Sequence, residues 1–288
     1  MNNLRERYIE TNGITLHVME AGPADGPMVM FLHGFPEFWY AWEKQIEYFA
    51  ARGYLVVVPD QRGYNLSDKP QGIASYRIDE PAKDALGLID HYGRDRIFLV
   101  GHDWGASVSW WFSMKYPERL NRLVIMNVPH PVVFGKYLFG NQKQMERSWY
   151  VFYFQIPGAV ERFAAANEYQ WPLDLLVSTS REGTFTPEKL EKYREAFKQP
   201  EAFTSMVNWY RAAIQAPPDR LSDYKVRVPL LVLWGVRDAA IIPEQADESM
   251  AFCADGKLVK FEDCSHWIEH EEADRINPMI DEFFQKSE

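Results

Sequence analysis

Cysteine is nearly absent. Cys253 and Cys264 are the only two in 288 residues, too few for a disulfide framework in a chain of this length, and they predict a reducing compartment. Basic residues are in deficit: 31 Lys and Arg stand against 41 Asp and Glu, a formal net charge of −10. That sign disfavours a phosphate backbone or an anionic bilayer, so neither a nucleic acid nor a membrane is the expected partner. No apolar run approaches the roughly 20 residues that cross a bilayer. The opening residues MNNLRERYIETNG carry charges where a secretory leader has its apolar stretch, so a soluble, cytoplasmic chain is expected. There is no internal repeat and no low-complexity tract. Apolar and aromatic side chains are plentiful, at 47% and 15% of residues. They suffice for a large core and suit a neutral or apolar small-molecule ligand. The oligomeric state, a homodimer included, stays open.

Patterning along the chain predicts an α/β fold. Two β-rich halves around Asn12 and Gly13 read as a hairpin. Met28 to Leu32, Tyr54 to Val58 and Ile97 to Val100 are short apolar runs that read as strands, the β-branched run at Tyr54 to Val58 as one buried on both faces, and Leu120 to Met126 is another strand. Helical spacing fills the gaps at Ala41 to Ala51, Ala82 to His91 and about Ala106 to Tyr116. After Pro129 the alternation stops. From roughly Val132 to Tyr224 there is no strand of parallel-sheet character, only helical segments broken by prolines and glycines and rich in aromatics such as Trp149, Tyr150, Phe154, Trp171 and Trp209. Strands return at Pro229 to Trp234 and Lys257 to Phe261, completing an eight-stranded plan. The predicted division is a core from two pieces, residues 1–131 and 226–288, with an all-helical insertion at 132–225.

The stretch IFLVGHDWG, Ile97 to Gly105, is a strand that ends in a tight turn and runs into a helix. Small residues flanking one polar side chain are what such a strained elbow requires, and the side chain it pushes outward is Asp103. Two other polar residues follow strand ends, Asp238 after LLVLWG and His266 after the last strand. The order nucleophile, acid, histidine is that of hydrolases built on this plan. A carboxylate at the elbow attacks without losing a proton and forms an ester. His266, oriented by Asp238, is then free to activate water against that ester. The charge developing on the carboxyl of Asp103 needs donors, and the backbone N–H groups of Phe35 and Trp104 are the predicted pair.

With these residues in view the chain resembles the α/β-hydrolase-fold epoxide hydrolases of soluble, microbial type. The resemblance rests on HGFPE at 33–37, GHDWG at 101–105, WGVRD at 234–238 and SHW at 265–267, and covers essentially the whole chain. It implies an eight-stranded, mostly parallel sheet under a helical cap, and cofactor-independent conversion of an epoxide and water to a vicinal diol. It also implies two cap tyrosines that protonate the epoxide oxygen, matched through YFQIPG and NWYR to Tyr153 and Tyr210. No metal is implied. The main alternative is a dehalogenase on the same fold. Against it stand Phe35 at a position where many haloalkane dehalogenases carry a halide-binding asparagine, the neutral Asn127, and Trp104 and Ser107 in place of carboxylate-binding arginines. A noncatalytic ligand binder is the third reading, and the complete triad disfavours it. His102 and His130 are expected to make local hydrogen bonds.

Overall fold

A computed structural model describes residues 4–286. Its sheet has eight strands: β1 (Arg5–Thr11), β2 (Ile14–Ala21), β3 (Met28–Leu32), β4 (Leu55–Pro59), β5 (Ile97–His102), β6 (Leu120–Met126), β7 (Leu230–Gly235) and β8 (Gly256–Phe261). Their order across the sheet is β1-β2-β4-β3-β5-β6-β7-β8. β1 and β2, joined at Asn12 and Gly13, form the expected hairpin, and β2 meets β4 antiparallel. Every other pairing is parallel. This is the architecture of the α/β-hydrolase fold, as the sequence predicts.

Side-chain alternation explains why the central strands are apolar throughout. Met28, Met30 and Leu32 of β3 face one cluster of the core while Val29 and Phe31 face the other. With a period of two, both faces need apolar residues once helices cover both. Helices α1 (Glu43–Ala50) and α13 (Ala273–Gln285) cover one side through Ile46, Phe49, Ile276, Ile280 and Phe284. Helices α2 (Asp79–His91) and α3 (Trp104–Lys115) cover the other through Leu88, Ile89, Trp110 and Phe112. Each such side chain contributes roughly 1.5–3 kcal/mol on full burial.

Between β6 and β7 the described chain is helical: α4 (Pro131–Gly140), α5 (Gln142–Arg147), α6 (Trp149–Tyr153), α7 (Ala159–Ala165), α8 (Gln170–Thr179), α9 (Pro187–Phe197) and α10 (Ala202–Gln215). After β7 come α11 (Glu244–Ser249) and α12 (Ile268–Glu271). The aromatics of the insertion continue the core rather than forming one of their own. Phe154, Tyr193, Phe197, Trp209 and Tyr210 are buried in the same cluster as α2 and α3. No helix among the described residues is long and apolar enough to cross a membrane.

Candidate active site

The elbow is built as its sequence demands. Asp103 sits between β5 and α3 with φ 49° and ψ −121°, a conformation that costs a non-glycine residue about 1–3 kcal/mol and is kept where the surrounding structure enforces it. The neighbouring backbone must come close to hold it there. A Cβ on Gly105 would overlap the Leu32 carbonyl, and one on Gly34 would overlap the Asp103 carboxyl itself. That close approach lets the Phe35 N–H donate to Asp103 Oδ1 at 2.6 Å. Trp104 opens α3, so its N–H has no partner within the helix.

The other two residues of the triad arrive from the loops after β7 and β8. His266 Nδ1 lies 2.7 Å from Asp238 Oδ2, and His266 Nε2 lies 3.6 Å from Asp103 Oδ2. Asp238 is fully shielded, and burial alone would raise its carboxyl. The charge and hydrogen bond of His266, the Asn127 amide and the Ile241 N–H outweigh burial and hold it below its usual range. For His266, burial opposes the imidazolium, yet Asp238 and Asp103 prevail and raise it well above the usual histidine value.

Asn127 plays a part that the sequence did not disclose. Its Nδ2 donates to Asp238 Oδ2 at 2.8 Å, and its Oδ1 accepts from the Gly235 N–H at 2.9 Å. It therefore ties the end of β6 to the acid. Asn127→Ala should leave the buried Gly235 N–H unsatisfied, take one of the hydrogen bonds from Asp238 and cost about 1–3 kcal/mol, read as a lowered denaturation midpoint at constant m. An unchanged midpoint would contradict this. Arg147 of α5 also holds the acid's loop, donating from Nη1 to the carbonyls of Asp238 at 2.7 Å and Ile241 at 3.3 Å.

In front of the triad lies a cavity of about 250 Å³. Phe35, Phe154, Trp171, Leu175 and Trp267 supply its apolar wall, and Asp103, His266, Tyr150 and Tyr210 its polar groups. The pair of phenols is therefore Tyr150 with Tyr210, their ring centroids 5.8 Å apart. Tyr153 does not line this cavity; its ring packs on Trp149, centroid to centroid 5.9 Å. Three positions along α6 amount to about 4.5 Å of rise and 60° of rotation, which suffices to carry Tyr153 away from the cavity that Asp103 lines. Burial, and next the Asp103 carboxylate, push both Tyr150 and Tyr210 far above the ordinary phenol range, so both remain donors. A larger depression of about 420 Å³ beside Ile73, Pro157 and Arg211 contains no triad residue.

The unassigned histidines fall into place. His130 caps α4, accepting from Val132 N–H while its Nε2 faces the Tyr224 carbonyl at 2.9 Å, and burial lowers it to about 4. His33 is neutral, lowered by burial, and braces the turn: its Nδ1 faces the Gly34 carbonyl and its Nε2 accepts from Gln61 N–H. His102 Nε2 meets the backbone carbonyl of His266 at 2.9 Å. Glu37, Glu269 and His270 gather behind the triad, where Glu37 Oε1 takes hydrogen bonds from His270 and Tyr193.

The geometry has counterparts among known proteins. The family model for the alpha/beta hydrolase fold matches residues 27–273. The AB hydrolase superfamily protein YfhM of Bacillus subtilis is 42% identical over 286 residues, covering 99% of this chain and 99% of its own. Epoxide hydrolase 1 of Caenorhabditis elegans is 36% identical, over 97% of this chain and 70% of its own length. A solved epoxide hydrolase from Bacillus megaterium superposes with a TM-score of 0.90 at 30% identity, covering 97% of this chain and 100% of that one.

Proposed function

The chain belongs to the α/β-hydrolase-fold family, and we propose that it is an epoxide hydrolase whose covalent intermediate forms on Asp103. The observation that carries this reading is the opposition of one carboxylate and two phenols across one cavity, Asp103 facing Tyr150 and Tyr210.

Attack by Asp103 on an epoxide carbon breaks a C–O bond and leaves an alkoxide. A phenol can hand that oxygen a proton without placing a permanent charge in an apolar pocket. Consuming the Asp103 charge also removes one cause of the phenols' raised values, so they become better acids as the alkoxide forms. The product is an alkyl ester. His266, held by Asp238, then takes a proton from water, and the hydroxide attacks the carboxyl carbon of Asp103. The N–H groups of Phe35 and Trp104 receive the charge on that oxygen. Collapse releases the vicinal diol and restores Asp103. The helical segment 132–225 acts as the cap that brings the phenols over the nucleophile. No cofactor enters any step.

Incubation with styrene oxide should yield the diol, with no bromide released from a bromoalkane of similar size. Bromide release without diol would overturn the reading in favour of a dehalogenase, and neither product would favour a binder.

A further inference from the structure

Behind the catalytic histidine lies a second group of titratable side chains that the reaction above does not use. Glu37 follows β3, His102 ends β5, and Glu269 and His270 belong to α12; all four are buried. Glu37 Oε1 accepts from His270 Nε2 at 2.7 Å and from the Tyr193 hydroxyl at 2.9 Å. Glu37 Oε2, both oxygens of Glu269 and His102 Nδ1 have no hydrogen-bond partner. Yet His102 Nδ1 stands 3.4 Å from Glu37 Oε2 and 3.4 Å from Glu269 Oε1. Orphaned polar atoms concentrated in so buried a place are costly, and a missing donor is the economical explanation.

The proton inventory identifies that donor. His102 Nε2 faces the His266 carbonyl at 2.9 Å, and a carbonyl only accepts, so Nε2 carries hydrogen. The Nδ1 of a neutral ring then presents a lone pair to two carboxylates, with no hydrogen between them. One proton on Glu269, directed at His102 Nδ1, removes the conflict. Burial, followed by the Glu37 charge, pushes the Glu269 carboxyl well above its ordinary range. Glu37 is opposed by its own burial but held well below that range, with His270 Nε2 hydrogen-bonded to its Oε1 at 2.7 Å. The other titratable groups around the cluster are His266, His33 and Tyr64 on the adjoining loops, Tyr193 of α9, and Glu43 of α1 paired with Lys189. None of them donates to Glu269.

We infer that Glu269 is a positioning residue for the hydrolytic half-reaction: it donates a proton to His102 Nδ1 and so fixes the His102 tautomer whose Nε2–H holds the backbone of His266. This inference rests on the reading of His266 as the base. When rising pH removes the Glu269 proton, two carboxylates face the His102 lone pair, the bond is lost, and the histidine loop loosens.

The test uses three forms of the full chain. In the free wild-type enzyme, infrared spectroscopy should show a protonated carboxylic acid band that disappears in Glu269→Gln. The amide of that variant donates but cannot titrate, so adduct hydrolysis should survive and its alkaline limb should move up by at least about one pH unit. Glu269→Leu removes the donor and should slow adduct hydrolysis about tenfold or more, with the alkylation rate within about twofold of wild type. A missing band, or a Glu269→Gln profile superimposed on wild type, overturns the inference even where epoxide turnover is normal. The band and the Glu269→Gln comparison stand if the leucine variant fails to fold. The band present with no epoxide opened would overturn the catalytic role and place the failure in the functional reading.

Discussion

Replacing His266 by glutamine should stop turnover at a covalent adduct: intact mass should rise by one substrate molecule per chain, and diol release should fall about 10³-fold or more. The reason lies in the division of labour. Asp103 is an anion before the reaction begins and attacks without help from a base, so formation of the ester should survive. Only breakdown of the ester needs the imidazole. With wild-type enzyme turning over in heavy-oxygen water, label should enter the Asp103 carboxyl, because water attacks that carbon. An unlabelled Asp103, or rapid full turnover by His266→Gln, would refute the covalent route.

The same step has a pH signature of definite sign. In the free enzyme burial disfavours the His266 imidazolium, but the charges of Asp238 and Asp103 override it and raise His266 well above its usual value. The protonated form therefore prevails up to that raised value. Esterification neutralises Asp103, removes one of the two anions, and brings His266 back down, which frees it as a base after the nucleophile has reacted. The acid limb of adduct breakdown should thus fall at lower pH than the His266 titration followed by nuclear magnetic resonance in the free enzyme. Coincident values would mean that Asp103 contributes nothing to the shift.

Tyr150→Phe and Tyr210→Phe should each slow alkylation about 10- to 100-fold, and the double variant about 10²- to 10⁴-fold, with Tyr153→Phe within about twofold of wild type. Non-additivity is expected, since both hydroxyls serve one oxygen. Rapid-mixing measurement of ester formation, which leaves hydrolysis out of the rate, is the appropriate readout. Thermal unfolding should be nearly unchanged in all three single variants, because each loses only a hydroxyl. A large loss in Tyr153→Phe with none in Tyr150→Phe would reverse the assignment.

Tyr150 and Tyr153 show where sequence reasoning ends. Strands β3, β4, β5 and β7 were legible because burial on both faces writes itself as an apolar run, and the hairpin because Asn12 and Gly13 adopt the positive φ that its turn needs. The elbow was legible because few residues tolerate its backbone. The triad was legible because strand ends converge on one edge of a parallel sheet, whatever the loops between them. The fold and the placement of Asp103, Asp238 and His266 at the strand ends were thus set by local rules and chain order.

The choice between two tyrosines three positions apart has no such rule. Both lie in one short aromatic helix, WYVFY, and only the seating of α6 over the core selects Tyr150. Asn127 looked like a neutral residue at the end of a strand; its task depends on Gly235 and Asp238, more than 100 residues further along and brought within reach by the pairing of β6 with β7. Glu37, His102, Glu269 and His270 come from three separate segments, so their proton accounting exists only once the sheet edge has assembled. The sequence alone determined the sheet, the elbow and the order of the triad, because each follows from backbone geometry and local burial. Tertiary structure decided which phenols face Asp103 and what stands behind His266, because those are contacts between elements whose relative placement no local pattern encodes.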